Sequence, residues 1–269
     1  MAMQSKRKHF LVVAGIGVLS IVSLILVYSI PWLEIMQNKS YDTLFTLRGT
    51  APPTGQVVIV AIDDYSLRYG KWPWTRDHHA KIINKLKDAG AKIIALDIDF
   101  SSPNSVDPKY DKDLEKAIKR AGNVVMISSF TTQTVGGSEM EMYNLPLEDE
   151  NAHIRSALIG YGFTRYEPDQ LDNYVRESPL IYRFADADHY SFSMAALSRY
   201  LGVTEAALFE RVKEKNSNMR DRTLINFCGK AGTFPTESYM RIFLGDINQE
   251  LLEKFCKGKI VIVGATSPQ

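Results

Sequence analysis

The longest apolar stretch of the chain lies close to its N-terminus. Residues 10–30 read FLVVAGIGVLSIVSLILVYSI, twenty-one residues without a charged side chain. As an α-helix, this stretch would extend about 31 Å, close to the roughly 30 Å thickness of the hydrocarbon core of a bilayer. The pattern predicts one transmembrane helix over residues 10–31.

The charges that flank this stretch predict its orientation. Three basic residues precede it at positions 6–8, whereas Glu34 and Lys39 follow it. Because positive charges stay on the cytoplasmic side, we expect residues 1–9 in the cytoplasm and residues 32–269 outside it. A cleaved signal peptide is the alternative interpretation, but its apolar core spans only about 7–15 residues. Both interpretations export the rest of the chain.

Beyond residue 32, apolar runs typical of buried strands alternate with amphipathic runs typical of helices. The strand-like runs of the first half are residues 57–62, 92–100 and 123–127. Between them, Thr75 opens a helical pattern that Gly90 ends, and a second pattern over residues 111–121 ends at Gly122. Continuous β-branched runs are typical of strands that are buried on both faces, so this alternation predicts a parallel, doubly wound sheet.

The second half of the chain is less regular. Glycines, prolines and acidic residues interrupt residues 128–178, which we interpret as a partly antiparallel insertion. Further helices are predicted at residues 192–200, from Thr204 onward, at 238–244 and at 249–255, with strands at 224–227 and 259–263. The predicted fold class is α/β, a largely parallel, doubly wound sheet with flanking helices and a partly antiparallel insertion, preceded by one N-terminal transmembrane helix.

Composition narrows the range of partners. The chain is 45% hydrophobic and has a formal net charge of +1. Nucleic-acid binding calls for a clustered basic surface, so no nucleic-acid partner is expected. Cys228 and Cys256 would lie in an oxidising compartment, where one disulfide is possible. We favour two separate buried thiols, because Cys228 ends a strand-like run and Cys256 ends a helix-like one.

Four acidic residues stand at the ends of predicted strands. Asp63 and Asp64 follow the first strand, and Asp97 and Asp99 end the second. Ligands of parallel α/β sheets bind at the carboxyl ends of the strands. Asp97 and Asp99 share one face of their strand, and with Asp63 they present oxygen ligands of the kind that Mg²⁺ or Ca²⁺ requires.

Structural pairing is an alternative interpretation of the same carboxylates. Asp97 or Asp63 would then pair with Arg76, and Asp64 or Asp99 would cap a turn. Replacing a buried, paired Asp97 by alanine would cost about 3 kcal/mol. Contact with an organic ligand is the third interpretation.

The loop that leads into the predicted helix at Thr75 combines aromatic and basic residues. Trp72, Trp74 and Arg76 at the helix start would form a pocket for a carboxylate or another small anion, although such tryptophans also pack as core. The neighbouring His78 and His79 are expected to face solvent rather than to hold zinc. The candidate ligand-binding residues are therefore Asp63, Asp64, Trp72, Trp74, Arg76, Asp97 and Asp99. No catalytic residue, metal or cofactor is predicted.

Several segments, taken in order, resemble a known family. Ser40-Tyr41-Asp42 and Arg48 are followed by VVIVAIDDYSL, GKWPWTRDHHAKIINKLKDAGAKIIALDIDF, SSPNSVDPKYDKDLEKAI, INFCGKAGTFPTESY and GKIVIVGATS. This series resembles the type-two CHASE domain, the extracytoplasmic sensor module of bacterial transmembrane receptors. The resemblance covers about residues 40–267, nearly the whole part that is predicted to be exported.

The resemblance implies a sensor rather than an enzyme. Such receptors control cytoplasmic adenylate cyclases, histidine kinases, diguanylate cyclases or serine/threonine kinases. The chain would be a homodimeric periplasmic sensor in a bacterial inner membrane, in contact with the bilayer through residues 10–31 and with an unknown small solute or external protein. Because family members usually continue into further spans and an output domain, we expect a fragment that ends before them.

The alternative function is a membrane-anchored, metal-dependent hydrolase. Asp63, Asp97 and Asp99 would hold a metal ion that activates water. The sequence contains no P-loop, HExxH, CxxC pair or GxSxG motif, and no histidine stands beside those strands. A sensor is therefore the function that we expect.

Overall fold

The computed structural model describes residues 2–28, 32–70, 72–135, 138–150, 152–216 and 219–266. Its helices are α1 (Ala2–Tyr28), α2 (Trp32–Arg48), α3 (Asp64–Leu67), α4 (Arg76–Asp88), α5 (Pro108–Ala121), α6 (Ile154–Ala157), α7 (Phe192–Leu201), α8 (Glu205–Lys215), α9 (Tyr239–Leu244) and α10 (Gln249–Cys256). Its strands are β1 (Val57–Ile62), β2 (Ile93–Asp97), β3 (Val124–Val135), β4 (Ser138–Asn144), β5 (Gly160–Thr164), β6 (Glu177–Pro179), β7 (Ile181–Phe184), β8 (Ala187–Tyr190), β9 (Arg222–Leu224), β10 (Thr236–Ser238) and β11 (Ile260–Ala265).

Helices α1 and α2 form one compact unit together with the segment Pro168–Tyr174. Within this unit, Asn38 Nδ2 donates a hydrogen bond of 2.8 Å to Asp169 Oδ2. Among the residues that the structure describes, no helix is both long enough and apolar enough to cross a membrane. The predicted span over residues 10–31 coincides with α1 from residue 10 to residue 28, and its last residues, 29–31, lie outside the described part of the chain.

A seven-stranded sheet organises the second compact unit. The strand order is β10-β1-β11-β2-β3-β4, and β5 also pairs with β3. Among the described strands of this sheet, every pairing is parallel except that of β3 with β4. The mainly parallel sheet confirms the predicted α/β class, and the β3–β4 pair is the antiparallel part of the predicted insertion. The predicted strand over residues 224–227 is wrong in extent, because β9 ends at Leu224 and pairs with β6 outside this sheet.

Alternating side chains of the central strands enter two different cores. In β2, Ile94 and Leu96 pack in the larger core, which α4, α5, α9 and α10 cover. The intervening Ile93 and Ala95 enter the core that α7 covers on the other face of the sheet. Because helices cover both faces of the sheet, the polar side chains of these central strands lie at the strand ends.

Local signals set the ends of the two helices that matter for the site. Thr75 is the N-cap of α4, and Asp107 is the N-cap of α5, where its carboxylate accepts a 2.8 Å hydrogen bond from Lys109 N. Gly90 and Gly122 follow the last turns with φ of +78° and +62°. Only glycine adopts this left-handed conformation readily, so the predicted helix ends are confirmed.

Cys228 and Cys256 are both free, which confirms two separate thiols. Cys256 is buried as expected, whereas Cys228 is only half-buried. Burial raises the pKa of Cys256 to about 12, so its protonated thiol packs as a small apolar group.

Candidate functional site

A cavity of about 400 Å³ opens at the carboxyl ends of β1, β11 and β2. It begins where these strands end, at Ile62, Ala265 and Asp97. The loops after the strands and the first turn of α4 complete its wall with Trp72, Pro73, Trp74, Arg76, His79, Ile98, Asp99, Phe100, Pro103, Asn104 and Ser105. Its volume lies within the range of about 300–1,000 Å³ that is typical of small-molecule sites. The cavity therefore lies at the edge of the sheet where the sequence predicts a ligand.

A buried ion pair fixes the loop that forms one wall of the cavity. Arg76, the first residue of α4, pairs with Asp111 in the first turn of α5. Arg76 also donates to the carbonyl oxygen of Ser102, and Asp111 accepts a 2.9 Å hydrogen bond from Asn104 N. The two partners of the ion pair therefore hold the loop between β2 and α5 in place.

The guanidinium group of Arg76 makes its ion pair and its hydrogen bond within the protein. It lies with Cζ 5.3 Å from the centre of the Phe100 ring, and burial lowers its pKa to about 10. The group still carries its charge at neutral pH. The expected pairing of Arg76 with Asp97 or Asp63 is wrong, because α5 brings Asp111 to that buried position instead.

Two tryptophans form the aromatic wall of the cavity. The rings of Trp72 and Trp74 have centres 5.1 Å apart and are nearly perpendicular, at 82°. Trp74 is buried, packs against Tyr239 at 5.0 Å and donates from Nε1 to the carbonyl of Gly70 at 3.4 Å. The peptide bond between Trp72 and Pro73 is cis. The tryptophans thus pack as core and also line the cavity, and their contact with a ligand stays a prediction.

His79 is buried, so the expectation that it faces solvent is wrong. Its side chain lines the cavity with 2% exposure, and its Nδ1 lies 3.0 Å from the hydroxyl of Tyr239. Burial, with smaller contributions from the charges of His78 and Arg76, lowers the pKa of His79 to about 3. The imidazole is therefore neutral at neutral pH.

The hydrogen bond to Tyr239 decides which nitrogen of His79 carries the proton. Burial raises the pKa of Tyr239 well above its usual range, so the phenol keeps its proton. Within the described residues, the hydroxyl has Nδ1 of His79 as its hydrogen-bond partner, so we assign the phenol as donor to Nδ1. The imidazole proton then lies on Nε2, which has no protein hydrogen-bond partner within the described residues.

Asp97 is a carboxylate that meets the cavity without a protein partner. Among the described residues, no hydrogen bond or ion pair reaches its side chain. The group is accessible to solvent, but the protein around it removes much of its hydration and raises its pKa. Asp99, two residues later, accepts a 2.7 Å hydrogen bond from Ser101 N, which confirms the turn-capping interpretation for that residue.

Asp63 and Asp64 do not line this cavity. Asp63 is the N-cap of α3, and its Oδ1 accepts from Ser66 N at 2.8 Å, from the Ser66 hydroxyl at 2.7 Å and from the Ser238 hydroxyl at 3.0 Å. Burial opposes ionisation of Asp63, but these hydrogen bonds outweigh it and lower its pKa. Asp64 is the first residue of α3.

The three carboxylates considered as metal ligands do not converge. Asp63 is committed to α3, whereas Asp97 and Asp99 lie at the cavity. Across the described ranges, no group of three or more histidine, cysteine, aspartate or glutamate residues is placed to hold a metal ion. The interpretation of Asp63, Asp97 and Asp99 as a site for Mg²⁺ or Ca²⁺ is therefore wrong.

The comparison with protein families covers almost the whole chain. A family model described as the CHASE2 domain matches residues 18–269. The chain belongs to the CHASE2 family. This match confirms the resemblance to the type-two CHASE domain, and CHASE2 domains are sensory domains of the extracellular type. Neither the curated proteins nor the solved structures compared with the chain gave a match.

The cavity of this CHASE2 domain contains five of the seven residues that were predicted to bind a ligand. They are Trp72, Trp74, Arg76, Asp97 and Asp99. Sequence reasoning missed the contributions of His79 and Asp111. In both cases a polar residue continues a helical apolar stripe, since Leu86 and Ile83 lead back to His79, and Leu114 leads back to Asp111. That spacing is a sequence signal for a buried polar group.

Proposed function

We propose that this CHASE2 domain is the extracytoplasmic sensor of a membrane-anchored bacterial receptor and that it binds a small solute in the cavity. The observation that carries this proposal is Asp97, a desolvated carboxylate that faces the cavity without a protein partner among the described residues. A raised carboxylate pKa in a cleft is a feature of functional sites. An unpaired, partly desolvated carboxylate destabilises the folded protein, so a functional role accounts for it better than a role in folding does. No catalytic function is proposed for the chain.

The proposed anchor is the apolar stretch at residues 10–31. It is supported by its length, by the absence of charged side chains from residues 10–30 and by the basic residues at positions 6–8. In this arrangement the cavity faces the periplasm and the inner membrane is the partner of the N-terminal stretch. The regulated cyclase or kinase belongs to the cytoplasmic side of the same receptor.

Signal transfer would operate as a population shift. A solute that binds one arrangement of a homodimer more tightly than the other moves the equilibrium toward that arrangement, by as much as the two affinities differ. The cavity supplies the site of that differential binding, and the membrane helices carry the change across the bilayer.

Ligand binding is tested with the full chain in detergent. Its thermal unfolding is followed against a panel of amines, amino acids, carboxylates and sugars, since a ligand at about 100 times its Kd adds about 2.7 kcal/mol of stability. Ser105→Trp places an indole at the cavity wall and should abolish the response, whereas Thr132→Trp on the exposed surface of β3 should retain it. A panel without any stabilising solute, or equal responses in both variants, would contradict the proposal.

Membrane orientation is tested separately. A reporter that is active only outside the cytoplasm, fused after Gly49, should give signal in intact cells. Replacing the three basic residues at positions 6–8 by glutamate should lower that signal, because the positive charges hold the N-terminus inside. Activity of a cytoplasmic reporter at the same position would overturn the proposed topology.

A further inference from the structure

The charged groups of the cavity leave it with an excess of negative charge. Asp97 and Asp99 both line it. Arg76 is the basic residue among the lining residues, but its charge is offset by the buried carboxylate of Asp111. The His79 imidazole is neutral. A ligand with a positive charge would therefore find more attraction in this cavity than an anion would.

Of the two carboxylates that line the cavity, Asp97 is the one that a positively charged ligand would stabilise more. The protein desolvates its carboxylate and provides it, within the described residues, with neither a hydrogen-bond donor nor a cationic partner. A positive charge within a few ångströms stabilises the ionised carboxylate and offsets the free energy lost through desolvation. The neighbouring strand β11 does not provide this positive charge, because the residue opposite Asp97 is Gly264, which has no side chain. The two residues lie so close that a Cβ on Gly264 would stand 3.1 Å from the Cβ of Asp97.

The aromatic wall suits the same class of ligand. Trp72 and Trp74 line the cavity with rings at 82° to each other, and tryptophan is the aromatic side chain that attracts cations most strongly over its face. His79 also lines the cavity, and its imidazole is neutral, so it adds no positive charge that would repel a cation. This combination provides one counter-ion and two aromatic rings.

A metal ion fits these groups less well than an organic cation does. Ca²⁺ takes about 6–8 oxygen ligands and Mg²⁺ takes an octahedral set. Within the described part of the chain, no cluster of three metal-binding side chains exists, and Asp99 Oδ1 is already used by Ser101 N.

We infer that the solute recognised by this cavity is a small organic cation, a primary or quaternary ammonium compound, with Asp97 as its counter-ion and Trp72 and Trp74 as its aromatic contacts. This inference rests on the proposed function and specifies the chemical class of its ligand. In the bound state the ligand supplies the positive charge that the described residues do not give to Asp97.

The experiment compares cations with uncharged molecules of the same shape. Choline is paired with 3,3-dimethylbutan-1-ol, and benzylammonium with benzyl alcohol, while benzoate serves as the anion. Binding to the full chain in detergent is measured by calorimetry. A second readout is tryptophan fluorescence in a Trp32→Phe background, which leaves Trp72 and Trp74 as the tryptophans of the chain. We expect at least one cation to bind about tenfold or more tightly than its neutral counterpart.

Variants then assign the charge to Asp97. Asp97→Asn keeps the shape and should weaken cation binding about tenfold or more while it leaves binding of the neutral compound unchanged. Asp113→Asn removes a surface carboxylate of α5 that pairs with Lys116 and should change neither. Trp72→Leu should weaken binding of the quaternary ammonium compound more than that of the alcohol. Circular dichroism and thermal unfolding show that each variant is folded.

Four results would overturn the inference. The first is equal or tighter binding of benzoate or of the neutral compounds, and the second is cation binding that Asp97→Asn leaves intact. The third is a response to Mg²⁺ or Ca²⁺, but to no ammonium compound, that Asp97→Asn abolishes. In each of these cases a response that Ser105→Trp blocks would still support solute binding in the cavity, so the proposed function and the ligand class fail separately. Absence of binding by all four paired compounds also overturns the ligand class.

Discussion

Arg76 and Asp111 form an ion pair that joins the first turn of α4 to the first turn of α5, and both side chains are buried. Each residue starts the apolar stripe of its helix, so the two stripes meet at their N-terminal ends through opposite charges rather than through apolar contact. The pair also holds the loop between β2 and α5, through the carbonyl of Ser102 and the amide of Asn104. The wall of the cavity therefore depends on Asp111, a residue that does not itself line the cavity.

Asp111→Asn should destabilise the protein strongly. The substitution keeps the shape of the side chain but leaves the Arg76 guanidinium buried without a counter-ion, which costs about 3–5 kcal/mol. Urea unfolding of the full chain measures this loss. Asp113→Asn on the same helix is the matched control, because its partner Lys116 is exposed and such surface pairs contribute about 0–1 kcal/mol. Equal losses in the two variants would show that Arg76 does not depend on Asp111.

Asp97→Asn, unlike Asp111→Asn, should not lower the free energy of unfolding at pH 7. The pKa of Asp97 is raised, so the folded protein binds this proton more tightly than the unfolded chain does, and ionisation of the group at neutral pH costs stability. The variant should therefore be as stable as the wild type at pH 7, or more stable. The difference should shrink as the pH falls and Asp97 becomes protonated. A clear loss of stability at pH 7 would reveal a partner for Asp97 and favour structural pairing.

His79 should make stability depend on pH in the mildly acidic range. Its pKa in the folded protein is about 3, below the usual 6.5, so between these values the unfolded chain binds the additional proton. Stability from this group is thus complete above about pH 6.5 and is lost as the pH falls, by at most about 1.4 kcal/mol per pH unit. Its neutral state is held by burial and by the positive charges of His78 and Arg76, against the opposing charge of Asp77.

His79→Asn isolates this contribution from that of the carboxylates. Asparagine can still accept the hydroxyl proton of Tyr239, but it does not titrate. Unfolding free energies from pH 4.5 to 7.5 should fall less steeply for this variant than for the wild type. Parallel curves for the wild type and His79→Asn would refute the buried, neutral imidazole.

The parts of the fold that the sequence predicted are those that local patterns determine. The β-branched run at residues 57–62 and the stripe of α4 between Thr75 and Gly90 each indicate their element without reference to the rest of the chain. The position of β11 between β1 and β2 has no such local signal, because it depends on pairing between residues that are about 200 positions apart.

The same distinction applies to the cavity. The carboxyl ends of strands could be located from the sequence, so Asp97 and Asp99 were found. The partner of Arg76 could not be located, since Asp111 reaches it from another helix across a loop. Asp63 is a sequence-predicted ligand residue because it follows β1, but Ser66, three residues later, donates from its amide and its hydroxyl to the Asp63 carboxylate, which caps α3.

The junction between β5 and α7 supplies a test of backbone packing. A Cβ on Gly162 would lie 2.6 Å from the carbonyl carbon and oxygen of Ser191 and 2.7 Å from the nitrogen of Phe192, all of them backbone atoms that cannot turn aside. Gly162→Ala should therefore cost about 1–3 kcal/mol through displacement of the start of α7. Gly160→Ala on the same strand is the control, because the three heavy atoms nearest to its Cβ would belong to the Arg199 side chain, at 3.3–3.7 Å, and not to the backbone. Urea unfolding that shows no difference between the two variants would mean that β5 and α7 are not held this close together.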